Sequence, residues 1–129
     1  IEAGKARTTG MVPTMVHKDG APWLVVGAPG GSVIISAVLQ AILNIVDFGM
    51  SPVEAVTVPR LHCEGAAIHL EARTPDKVCR ALRDMGHAVT QSAISFDPVM
   101  SRAHVVMRDG DGWRGGADPR GGGGVAIAE

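Results

Sequence analysis

The strongest local chemistry in this sequence comes from a stretch with almost no side chains. Gly27-Ala28-Pro29-Gly30-Gly31-Ser32 stands directly ahead of the apolar run Val33 to Val46. Consecutive backbone N–H groups at a helix start suit a phosphate or a developing oxyanion, because nothing crowds the approach and the helix dipole adds its positive end. The stretch lacks the Lys of G-x-x-x-x-G-K-[ST] and the spacing of G-x-G-x-x-G, so it does not read as a nucleotide site. On the local pattern alone, a tight strand-to-helix turn capped by Ser32 competes with an anion hole.

Other chemistry-bearing residues read as ordinary structure. His62-Cys63 suggests a thiol–imidazole pair, but neighbours on a strand point to opposite faces. The five histidines, His17, His62, His69, His87 and His104, show no H-E-x-x-H spacing, and no metal or cofactor is expected. Asp109 and Asp111 alternate with glycines like a calcium loop, yet Trp113 and Arg114 follow and no Glu closes the loop, so a hairpin turn is expected. Thr8-Thr9 is internal and has no free α-amine to serve as the base of a threonine nucleophile. Cys63 and Cys79 lack C-x-x-C spacing, which leaves a single disulfide open but no zinc site.

The elements that position these residues follow from periodicity. Pro13 to Lys18 and Trp23 to Val26 read as strands around an Asp19-Gly20 turn. Val33 to Val46 reads as a helix, capped by Ser32 and ended at Gly49, with Ser36, Gln40 and Asn44 as one polar stripe on a cylinder expected to be buried on most sides. Ser51-Pro52-Val53-Glu54 is a capping box opening a short helix that stops before Pro59. Arg60 to Cys63 and Ala67 to Ala72 read as short strands. Thr74-Pro75 starts another helix with Val78, Leu82 and Met85 as its apolar face. His87 to Gln91 and Arg102 to Arg108 alternate as strands, and the tail from Gly115 to Gly124 is expected to be irregular.

With 129 residues, the chain is one segment able to bury roughly 65–70% of its unfolded surface. A net charge of -1 and four aromatic side chains without Tyr argue against nucleic-acid binding and peptide grooves. Hydrophobic residues make up 46% and charged ones 19%, which implies packing against a partner or membership of a larger protein. The fourteen-residue apolar run is too short to span a membrane. The opening Ile1-Glu2-Ala3-Gly4-Lys5 is neither a signal peptide nor an initiator Met, so the chain is expected to begin inside a longer protein.

Taken together, Gly10-Met11-Val12-Pro13-Thr14-Met15-Val16, Gly27 to Ser32 with Val38-Leu39-Gln40, Asp47-Phe48-Gly49-Met50, Glu54-Ala55, Pro59-Arg60-Leu61-His62 and Ala117-Asp118-Pro119-Arg120 resemble the γ-glutamyltransferase (γ-glutamyltranspeptidase) family of N-terminal-nucleophile hydrolases. The likeness is to the C-terminal part of the small subunit. It implies an α/β fold, part of a four-layer αββα sandwich, with residues 1–129 as the C-terminal portion of the catalytic domain. It also implies a self-cleaving precursor whose freed Thr, upstream of Ile1, attacks a γ-glutamyl amide with its own α-amine as base. The partners implied are the rest of that precursor and a small-molecule amide, and the compartment is the bacterial periplasm or outside the cell, with the cytoplasm left open.

By the same resemblance, the N–H groups of Gly30 and Gly31 form the oxyanion hole. The family's paired serines, which help hold the donor carboxylate, fall on Thr9 and Gly10. Thr9 keeps a hydroxyl and Gly10 does not, which points to a relative accepting another acyl donor, such as a cephalosporin-type side chain. Gly10→Ser is then expected to restore γ-glutamyl preference. A non-catalytic binding or structural module is the alternative from another class.

Overall fold

The computed structural model describes residues 2–6 and 9–126, so Thr8 lies outside the described residues. Alternating residues and a tight Asp19-Gly20 turn form the hairpin of β1 (Thr14–Lys18) and β2 (Ala21–Gly27). Asp19 and Gly20 both take positive φ, as such hairpin turns require. β2 then pairs with β6 (His104–Asp109), and β6 with β7 (Gly112–Gly116), giving an antiparallel sheet in the order β1-β2-β6-β7. Asp109 and Gly112 close the second hairpin, where Arg114 pairs with Asp109 at 2.6 Å. Gly115 and Gly116, expected to be irregular, lie inside β7, because Val106 and Val105 of β6 supply their ladder partners.

Helix α1 (Val33–Val46) and the short α2 (Pro52–Thr57) cover one face of this sheet. Ile34, Ala37, Val38, Ala41 and Ile45 recur at helical spacing and meet Leu24, Val26 and Val105 in the core, with Ala55, Val56 and Ala103 beside them. A smaller sheet joins β3 (Leu61–His62), β4 (Ile68–Leu70) and β5 (Val89–Gln91), with α3 (Asp76–Asp84) crossing between the parallel strands β4 and β5. The class is therefore α/β.

Several expectations are corrected. The polar stripe of α1 faces the protein: Gln40 exchanges hydrogen bonds with the backbone N–H and C=O of Leu61, and Asn44 donates to Ala55 O. The apolar residues Ile35 and Leu39 remain 51% and 53% exposed instead. Across the sheet, Met15, Val25 and Val106 form a cross-strand row on the uncovered face. Both apolar surfaces lack a covering layer among the described residues.

Ser32 makes no side-chain cap bond, because it is already helical and Gly31 O accepts the Ile34 N–H. Gly49, with positive φ, ends the helix as expected. In α3, Thr74 gives no cap and Val78 and Met85 face outward, while Cys79 is the buried residue. That helix is mostly charged and leans on the sheet by one narrow edge. Cys63 is exposed and Cys79 buried, so the disulfide left open by the sequence does not form.

Candidate active site

The turn between β2 and α1 brings the four residues singled out above to one place. Thr9, Gly10, Gly30 and Gly31 line a single cleft of about 400 Å3 together with Met11, Ser32 and Ile35. Gly30 has φ +146, a conformation that L side chains rarely adopt. Among the described residues, no backbone or side-chain acceptor takes the N–H of Gly30 or Gly31. These two donors stand beside the first turn of α1, where Gly31 O accepts the Ile34 N–H and Ser32 O accepts the Ile35 N–H.

Thr9 accepts the Met11 N–H at 3.2 Å through Oγ1, which leaves its hydroxyl proton available to a ligand. Gly10 lies beside Thr9 in the same cleft. A Cβ at that position would lie 2.9 Å from Gly31 O and 3.4 Å from Ser32 Cα. A serine at position 10 therefore requires the glycine turn to shift, so Gly10→Ser changes the packing of the cleft as well as adding a hydroxyl.

Behind the turn lies a segment whose importance the sequence did not reveal. Ser101 adopts φ 66 and ψ 177 and is 2% exposed. That backbone region belongs almost entirely to glycine and costs a side-chain-bearing residue on the order of 1–3 kcal/mol. The Ser101 hydroxyl donates to Pro29 O at 2.7 Å. On its other side, Arg60 Nη1 donates to the carbonyls of Met100 and Ser101 at 3.3 and 3.1 Å.

Arg60 belongs to a buried cluster with Glu71, Asp118 and Arg120. Arg120 grips Glu71 with Nε to Oε1 at 2.7 Å and Nη2 to Oε2 at 2.5 Å. Asp118 receives Arg60 Nη1 at 2.6 Å, Arg120 Nη1 at 3.0 Å and the Ala103 N–H at 2.7 Å. Glu71 also accepts the N–H groups of Arg60 and Asp97. Two cations and two anions thus cancel inside the protein. Burial lowers the pKa of Arg60, assisted by the neighbouring Arg120 charge, against the pull of Asp118. For Arg120, burial also lowers it, but the hydrogen bond to Glu71 and the charges of Asp118 and Glu71 outweigh that and raise it. Both guanidiniums stay charged.

Beside α1, His62 Nδ1 lies 2.9 Å from Ser36 Oγ, and its Nε2 is 3.5 Å from Glu64 Oε1. Cys63, just past the end of β3 and exposed, takes no part. His62, Glu64 and His69 border a second cleft of about 470 Å3. Among the described residues no His, Cys, Asp or Glu group is arranged to hold a metal ion, and no helix is long and apolar enough to cross a membrane. Glu71 and Ser101 are the positions that sequence reasoning missed; only the Pro59-Arg60 and Asp118-Pro119-Arg120 blocks signalled part of the cluster.

The sequence pattern of the family described as Gamma-glutamyltranspeptidase matches residues 1–128. The chain is 40% identical over 106 residues to an acylase proenzyme of a Pseudomonas species, covering 76% of this chain and 19% of that protein. It is 36% identical over 124 residues to the glutathione hydrolase proenzyme of Escherichia coli, covering 93% of this chain and 20% of that protein. The chain therefore spans about a fifth of the length of these relatives. The crystal structure of a Helicobacter pylori gamma-glutamyltranspeptidase mutant superposes with a TM-score of 0.82 at 36% identity, covering 94% of this chain and 66% of that one. Matched in sequence along nearly its whole length and in the arrangement of its strands and helices, the chain belongs to the gamma-glutamyltranspeptidase family.

Proposed function

We propose that the protein carrying this chain hydrolyses γ-glutamyl amides, or transfers their acyl group, through an acyl-enzyme on a Thr nucleophile outside residues 1–129. The Thr hydroxyl adds to the amide carbonyl carbon while its own α-amine takes the proton. The carbonyl oxygen becomes an oxyanion, which the N–H groups of Gly30 and Gly31 hold. Collapse of this intermediate expels the amine with the proton returned, leaving an ester on the Thr. Water or an acceptor amine then attacks the ester and frees the nucleophile.

The observation that carries this reading is the cleft that brings Thr9, Gly10, Gly30 and Gly31 together, with both glycine N–H groups free of acceptors among the described residues. Uncovered apolar surfaces on α1 and on the sheet fit a chain packed against the rest of its precursor. A second reading, a related acylase with a non-glutamyl donor, is favoured by Gly10, which offers no hydroxyl to a donor carboxylate, and by the acylase relative.

The test is turnover by the complete, self-processed protein on a γ-glutamyl anilide and a matched glutaryl anilide. Preference for the first supports γ-glutamyl chemistry, and preference for the second supports the acylase reading. Activity on neither amide sinks both and leaves a non-catalytic module. The 129 residues alone are expected to be inactive, because an oxyanion hole without a nucleophile has nothing to stabilise.

A further inference from the structure

We infer that Ser101 is a positioning residue that aims the Gly30 N–H through the Pro29–Gly30 peptide; this rests on the oxyanion role proposed for Gly30. The peptide unit is planar and trans, so Pro29 C=O and Gly30 N–H point to opposite sides of one rigid plate. Ser101 Oγ holds the carbonyl end at 2.7 Å. Gly30 lines the cleft and Ser101 does not, so anchoring the carbonyl from behind turns the N–H toward the cleft. A hydrogen bond accepted by the carbonyl also polarises the amide and strengthens its N–H as a donor.

The backbone at residue 101 supplies the second argument. A buried residue in a region that favours glycine so strongly would be expected to be glycine unless its side chain were needed. The side chain present makes one hydrogen bond, to a residue 72 positions away, at the glycine turn. The surroundings hold Ser101 in place for that purpose. Arg60 binds the carbonyls of Met100 and Ser101, Asp118 binds the Ala103 N–H, and Asp97 accepts the Val99 N–H. Gly10 lines the cleft on the other side of the turn, where a Cβ would meet Gly31 O at 2.9 Å. The turn is therefore held from behind at the Pro29 carbonyl, while the N–H groups of Gly30 and Gly31 have no acceptor among the described residues.

The test uses Ser101→Gly in the complete, self-processed protein. This variant removes the hydroxyl and relieves the backbone, so the unfolding midpoint is expected to change little. Its kcat on the preferred amide is expected to fall roughly ten- to a hundredfold, as misaimed donors cost, with KM within about twofold. Ser101→Cys keeps a side chain of similar size and a weaker donor, and is expected to recover part of that loss.

A second readout does not depend on turnover. Labelling proline carbonyl carbons and glycine nitrogens in the complete protein restricts an NMR correlation spectrum to Pro-Gly peptides, of which Pro29-Gly30 is the only one within these 129 residues, and its signal is assigned as the one lost in Pro29→Ala. Its carbonyl resonance is expected to move upfield in Ser101→Gly and to stay put in Thr90→Val, which removes a hydroxyl paired with His69 instead. A parental kcat in folded Ser101→Gly, or an unmoved Pro29–Gly30 signal, overturns the proposal. If the parent turns over neither amide, the proposed function fails by itself, and the NMR signal still decides whether Ser101 sets the peptide.

Discussion

The glycine cleft and the charged cluster differ in almost every respect, yet they meet at the Ser101 segment. The cleft offers backbone donors that carry no side chains and have no acceptors among the described residues, at an exposed turn. The cluster buries four charged side chains, each with several partners, and no buried polar side-chain atom lacks a hydrogen bond among the described residues. Free donors are useful for chemistry only if they stay aimed, and glycines cannot hold themselves. The difference teaches that rigidity here is supplied at a distance, by residues no ligand touches.

Breaking the cluster is therefore expected to give the largest effect, and chiefly on stability. Glu71→Gln leaves Arg60 and Arg120 facing Asp118 alone inside the protein, where loss of one partner of a buried ion pair typically costs about 3–5 kcal/mol. Urea unfolding should show a lower midpoint at an unchanged slope. A midpoint equal to the parent's would mean that the cluster is neutral ballast, and the contrast with the cleft would disappear.

The cleft should answer in the opposite way. Gly31→Pro removes one N–H donor, and a lost oxyanion donor costs about 10²–10³ in kcat. Stability should change less, because a Cβ at Gly31 meets nothing within 4 Å. Gly31→Ala is the steric control for that reason. Gly30→Ala is a poor one, since φ +146 strains any side chain there. A folded, self-cleaving Gly31→Pro with parental kcat removes the oxyanion assignment.

Gly10→Ser sharpens the comparison, because its side chain would meet the glycine turn from the cleft side. Its Cβ would press on Gly31 O, so both anilides should lose kcat together, by about tenfold or more. A switch in preference without loss of rate would instead restore the carboxylate-contact reading of residue 10.

How far the sequence reaches follows the same divide between local and distant. The α1 boundaries, both hairpin turns and the Ser51 capping box are legible because their causes lie within a few residues. The spacing of Ser36, Gln40 and Asn44 shows that they share a face. It could not show that the face turns inward, because the carbonyls of Leu61 and Ala55 that require it lie on other elements. Glu71 and Arg120 are 49 positions apart, and a positive φ at a serine leaves no trace in sequence. The resemblance located the cleft residues; only three-dimensional packing shows how close position 10 lies to the Gly31 carbonyl.

The smallest expected effect compares the two ends of α2. Its C-terminal carbonyls at Val56 and Val58 are taken by buried Arg120, at 2.7 and 2.8 Å. Its N-terminus is held by the exposed capping box, in which Ser51 Oγ accepts the Glu54 N–H and a Glu54 carboxylate oxygen accepts the Ser51 N–H. The Glu54 pKa is lowered, first by the Ser51 side-chain hydrogen bond and then by the Ser51 backbone bond, against a slight burial penalty. A carboxyl whose folded pKa is depressed stabilises above its unfolded pKa, and that contribution is lost as pH falls through the folded value. Glu54→Gln should therefore be slightly less stable than the parent near neutrality, and the gap should close under acid. The Arg120 end has no such dependence on Arg titration, because the guanidinium stays charged throughout. Unfolding midpoints of parent and variant across that range provide the measurement. A gap that persists once Glu54 is protonated would mean that the side chain acts through packing, and the box would join the cluster as a structure held by contact rather than by charge.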